Sequence, residues 1–298
     1  MDQASDGATD QPQWRRIIDF PLVAMLIAVA LIVAAVALGF NFGKLVPNGL
    51  PARGVVLAAI NLALVLLAYK LVIVRLGEQP RDDLPAHNSV RDLGVGFGGG
   101  IALFSIAVAI AAALGVYRIV GRGEASALLP DLVAVGIVPA LLEEILFRGV
   151  LFRWIEEFAG SWAALVLTAA LFGLVHILNP GATWFSSFAV AVEAGLLLGG
   201  AYMLTRTLWM PIGLHAAWNF TQGGIFGVPV SGNASHGLVH ATLSGPALLS
   251  GGAFGLEASV IALAVCTAAG LWLVLLAVKH GQLLQPWWVR RRLTVPNG

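Results

Sequence analysis

Two adjacent carboxylates and an arginine, Glu143, Glu144 and Arg148, interrupt an apolar run about as long as a membrane span. At bilayer depth an ionisable side chain costs at least ~2.5–3.5 kcal/mol on insertion scales, so such groups are rare and usually functional. Two later apolar runs carry His176, and His215 with Asn219. Residues four apart share a helix face, and an acid N-terminal to a base is the favourable order, so Glu144 pairs with Arg148. Glu143 points roughly 100° away around the helix and lacks that partner by spacing. It is left free to take a proton from water. His215 and Asn219 are also four apart and share a face. An imidazole and a carboxamide so placed suit donors that meet the charge growing on a carbonyl oxygen.

Each group also has a structural use: a buried ion pair pinning helices, a packed histidine near a helix end, an interhelical hydrogen bond from His215 or Asn219. Taken together they point to one cavity in which a glutamate, two histidines and an asparagine bind and activate water for attack on an amide. No serine or cysteine falls in these stretches as a nucleophile, so direct attack by water is the simpler route. A glutamate and two histidines also suit zinc with an open coordination position, although H-E-x-x-H is absent. Buried Glu and His residues mark ion paths as well, and Glu193, alone in its apolar run, is the residue a transport reading would test. No inverted repeat supports that reading.

The elements that must hold these groups are membrane spans. Of 298 residues, 58% are apolar and only 11% charged, where soluble domains carry roughly 25%; mean hydropathy is +0.87. The fold expected is all-α, a polytopic integral membrane bundle of about eight transmembrane helices. A polar tail over 1–19 precedes a bundle over 20–278, and a basic, aromatic tail closes the chain over 279–298. The spans read as about 20–40, 54–74, 93–116, 132–155, 162–178, 184–204, 208–226 and 256–278. Lys70 sits near the end of the second, where it can snorkel. The third opens G-V-G-F-G-G-G, which without a strand before it is a surface for close helix approach rather than a nucleotide loop. The segments 75–92, 118–131 and 223–255 read as loops, the last carrying His236 and His240. Cys266 is a packed thiol, and a single cysteine excludes an intrachain disulfide and a cysteine-based zinc cluster. No basic patch interleaved with aromatics suggests nucleic acid. Trp287, Trp288 and Arg290–Arg292 form an interfacial anchor, and the Lys/Arg bias puts both termini in the cytoplasm. Gly- and Ala-rich spans fit a bacterial inner membrane.

The ordered set E-E-x-x-x-R at Glu143–Arg148, F-x-x-x-H at Phe172–His176 and H-x-x-x-N at His215–Asn219 resembles the three motifs of the CPBP family. That family contains the CAAX prenyl endopeptidases of the Rce1 type and the bacteriocin-processing or immunity proteins called Abi. The resemblance covers about 132–226, a catalytic core within the bundle. It implies an intramembrane endopeptidase in which Glu143 is the general base, His176 orients the water, and His215 with Asn219 forms the oxyanion site. Glu144, Arg148 and Phe172 support the site. The implied mechanism needs no metal, leaving zinc a minority possibility, and implies no other cofactor. The partners implied are membrane lipid and a membrane-associated or lipidated peptide substrate, of which the prenylated C-a-a-X type is one. The rival is a non-enzymatic scaffold or immunity protein using the same polar cluster. One tension remains: span five, read to 178, carries His176 toward the far end while Glu143 sits near mid-membrane, so either span five is tilted or broken or the span boundaries are misplaced.

Overall fold

A computed structural model describes residues 12–48, 50, 53–235 and 237–294. The polar start of the chain before residue 12, His236 and the last four residues lie outside the described residues. The elements in chain order are α1 (Gln13–Ile18), α2 (Pro21–Gly43), α3 (Arg53–Leu71), α4 (Ser89–Ala113), β1 (Tyr117–Arg122), α5 (Leu128–Asp131), α6 (Val138–Glu144), α7 (Arg153–Ala159), α8 (Ser161–His176), α9 (Trp184–Thr205), α10 (Trp209–Phe220), β2 (Val239–Leu243), α11 (Ala247–Ser250), α12 (Val260–Lys279) and α13 (Trp287–Thr294). The molecule is an all-α polytopic membrane bundle. The helices at 21–43, 53–75, 89–113, 184–205 and 260–279 are long and apolar enough to cross a bilayer.

The other three expected spans differ from simple helices, and they are the ones that carry the motifs. The run 132–159 alternates between π and α geometry: Leu132–Ile137 and Ile145–Phe152 are π-helical, with α6 between them and α7 after them. The run after α10 is π-helical over Thr221–Ile225. A π-turn adds a residue to the turn and re-aims the side chains beyond it, and such turns concentrate at functional sites. α8 has 16 residues, about 24 Å at 1.5 Å per residue, against a hydrocarbon core of ~30 Å. This shortness resolves the tension over His176. Helices α7 and α8 reverse at Gly160, and Glu143 and His176 lie at nearly equal chain distances from that turn. Antiparallel packing therefore brings them level.

Glycine decides how close the helices come. A methyl group on Gly100 of α4 would stand 2.5 Å from Leu214 O of α10, and one on Gly96 would collide with Met210 O. Gly213 of α10 meets Leu93 O and Phe97 N in the same way. The glycine-rich opening of α4 is thus the seat of α10, the helix that carries His215 and Asn219. Gly173 on α8 stands against Ser187 and Ala191 of α9, and Gly270 on α12 against Leu196. Small residues let backbones approach where lipid supplies no hydrophobic drive between helices.

Two segments read as loops pair instead. β1 and β2 form an antiparallel ribbon with a register shift between Ile119 and Gly121, tied to the end of α10 by the Tyr117 hydroxyl donating to Phe226 O at 3.0 Å. Five- and six-residue strands joined across more than a hundred residues carry no local hairpin signal. Among the described residues of the polar N-terminal tail, α1 is helical, and Asp19 is buried, paired with Arg15 at 2.7 Å and accepting from Gly77 N at 3.1 Å. Lys70 reaches out of α3 to Asp82 and Leu84 O, both at 2.6 Å, as snorkelling requires. The C-terminal segment returns beside the Gly160 turn, where Ser161 N donates to Leu284 O, and Arg15 bonds Arg75 O. Both described ends of the chain therefore lie at one end of the bundle.

Candidate active site

Glu144 and Arg148 pair at 2.8 Å, and neither side chain is exposed. Arg148 is held three ways: by Glu144, by donating through Nη2 to Ala194 O of α9 at 2.8 Å, and over the Phe172 ring at 5.0 Å. A buried guanidinium needs such partners because an uncompensated buried charge is costly. Phe172 is the hub. Its ring meets Phe147 edge-on at 4.8 Å, lies 4.6 Å from the His176 ring, and turns its edge toward His215 at 6.2 Å.

His176 Nδ1 lies 2.7 Å from Phe172 O. A carbonyl only accepts, so Nδ1 carries the proton and a neutral ring keeps its lone pair on Nε2. His215 stands between the two glutamates: Nδ1 is 3.0 Å from Glu144 Oε1 and Nε2 is 3.9 Å from Glu143 Oε2. Spacing alone left Glu143 without a partner on its own helix, and the structure supplies a long contact from α10. The Glu143 side chain keeps about a third of its surface, 34%, open, while Glu144 has none.

Asn219 has one donor already spent. Its Nδ2 gives to Val135 O at 3.2 Å. Asn219 thus ties α10 to the first π-helical segment, and the amide's second hydrogen remains.

Glu143, His176, His215 and Asn219 line one cavity of about 810 Å³. The sequence-derived site residues therefore converge, with Glu144, Arg148 and Phe172 behind them. Sequence reasoning missed the rest of the wall. Asn179, Ser231, Asn233 and Ser235 also line the cavity, contributed by the Asn179–Gly181 turn and by the loop after α10. That loop is pinned: Gly232, at φ +80°, sits so close to Pro180 O that no side chain fits, and Ser231 takes φ 47°, a region non-glycine residues seldom adopt. The Asn-Pro-Gly triplet was visible as a turn; its docking on a loop fifty residues away was not. The cavity's loop walls belong to the end of the bundle opposite the two described chain ends.

A second cavity of about 490 Å³ shares His176, His215, Asn219 and Ser231 with the first and continues between α9, α10 and α12. Glu193 and Glu257 line it. Glu257 stands on the short turn Leu256–Ala258 ahead of α12, where burial pushes its carboxyl up to about 7 against hydrogen bonds from Ser231, Trp218 and Gln222. Among the described residues no group of three or more His, Cys, Asp and Glu side chains is arranged to hold a metal ion.

With this geometry in place, comparison with known proteins adds one finding. Residues 125–221 match the family described as type II CAAX prenyl endopeptidase Rce1-like. This segment is similar to an Rce1-like domain. The matched stretch runs from just before the first π segment into the one that follows Asn219, so it contains all three motifs. The family implies a peptide hydrolase. No curated protein and no solved structure matched the chain.

Proposed function

We propose that the protein is an intramembrane endopeptidase that cleaves a membrane-associated peptide with water activated by Glu143. The observation that carries this reading is the single cavity onto which Glu143, His176, His215 and Asn219 converge from three separate helical passages. Water held between Glu143 and His176 Nε2 loses a proton to Glu143 and attacks the peptide carbonyl carbon. The carbonyl π electrons move to oxygen, where the free Nδ2–H of Asn219 and a protonated His215 Nε2 donate to the oxyanion. Collapse breaks the C–N bond, and the leaving amine takes the proton back from Glu143. Glu144, which accepts from both Arg148 and His215, fixes the imidazole's angle. The proposed mechanism asks nothing of a metal.

The substrate reaches the cavity from the end opposite the chain's two described ends. Arg15, Arg16, Arg75, Lys279 and Arg290–Arg292 gather at the terminal end, against Lys44, Arg53, Arg118 and Arg122 at the other. By the positive-inside bias the terminal end is cytoplasmic. The cavity then faces the outer side of a bacterial inner membrane, where a membrane peptide that is not prenylated is the better candidate than a C-a-a-X protein. The test is hydrolysis by purified protein in detergent of quenched-fluorescent apolar peptides, with and without a farnesylated cysteine. Cleavage by wild type and none by Glu143→Gln is expected. Equal cleavage by both proteins would refute the assignment.

A further inference from the structure

The second cavity is built unlike a pocket for an apolar group. Its walls are Val190, Leu197, Leu198 and Leu214, yet two carboxylates line it. Glu257 is tied down, accepting from Ser231 N, but Glu193 Oε1 is buried with no hydrogen-bond partner, and the Glu193 residue is only 5% exposed. The peptide hydrolysis proposed for the larger cavity uses neither. A buried carboxylate with no donor costs free energy unless something supplies one, and two carboxylates on one cavity repel unless a cation or a shared proton intervenes. An aliphatic wall with acids along it fits a methylene stem ending in an ammonium, whose three hydrogens would serve both acids.

We propose that this cavity is a subsite for a lysine-type side chain, a straight alkyl stem carrying a primary ammonium, with Glu193 as the residue that selects it. Because the cavity shares His176, His215 and Asn219 with the larger one, the side chain it takes belongs to a residue flanking the scissile bond. That position, though not the binding itself, rests on the protease reading.

The probe is n-butylammonium, with n-butanol as its uncharged counterpart, added to purified protein in detergent while thermal unfolding is followed. The expected result is a rise in Tm with the amine and not with the alcohol, kept in Glu143→Gln and lost in Glu193→Gln. Should Glu193→Gln fail to fold, Glu257→Gln serves in its place and loses the amine response. Peptides carrying lysine or norleucine at each position around the cleaved bond then read selectivity: at one position lysine wins in kcat/KM by at least about tenfold, and Glu193→Gln removes that preference. Amine stabilisation without any hydrolysis would keep the subsite and overturn the protease reading. Hydrolysis indifferent to lysine, or stabilisation by butanol as strong as by butylammonium, would overturn the subsite.

Discussion

Glu143 and Glu144 are neighbours with opposite environments, and the roles proposed for them rest on that difference. Glu144 is sealed between Arg148 and His215, so removing one partner leaves a buried charge. Arg148→Ala is expected to cost about 3–5 kcal/mol of stability, read as a large fall in Tm with loss of folded yield. Glu143→Gln, at the cavity wall, should leave Tm nearly unchanged. The Glu144–Arg148 pair could be read from spacing of four, and so could the shared face of His215 and Asn219. Glu257 could not, because only the closing of the loop after α10 brings it to the cavity. Its carboxyl is raised from 4.5 to about 7, so the folded state holds a proton that the unfolded chain has released. Its contribution is full below about 4.5 and is lost as pH rises through about 7. Thermal unfolding across that window should show wild type losing Tm relative to Glu257→Gln; parallel curves would contradict the burial described.

Among the elements, α4 and α10 show how a glycine pattern serves a site it never touches. Gly100→Leu drives a side chain into Leu214 O, and overpacking of this kind costs about 1–3 kcal/mol or more. It should lower Tm and, by displacing His215, lower activity further than Tm alone accounts for. The glycines were legible as a packing face, but which helix they met was not. The π segments were not legible at all: hydropathy is blind to one extra residue per turn. The bond from Asn219 to Val135 O joins residues too far apart in the chain for spacing to reveal. Asn219→Ala is expected to cost about 1 kcal/mol, read as a small fall in Tm; an unchanged Tm would show that the bond contributes nothing to stability.

At the scale of the whole molecule, composition alone dictated a helical membrane bundle, and the five long apolar helices agree with it. The ribbon of β1 and β2 was hidden because its strands are short and far apart in the chain. The orientation proposed above rests on the Lys/Arg bias alone, and it decides which substrates that proposal admits. A membrane-impermeant maleimide on intact cells should label Lys44→Cys and should reach Lys279→Cys only after lysis; native Cys266 is buried and does not compete. The reverse pattern would turn the cavity toward the cytoplasm and return prenylated C-a-a-X proteins to the front.

The claim on which everything else depends is that Glu143 activates the attacking water. The most direct measurement is kcat for one cleaved peptide with wild type and Glu143→Gln at matched folded concentration, each with and without a chelator. A fall of about 10²–10⁴-fold is predicted for the variant, with no effect of chelator on wild type. Undiminished turnover by Glu143→Gln, or activity abolished by chelator and restored by zinc, would contradict it.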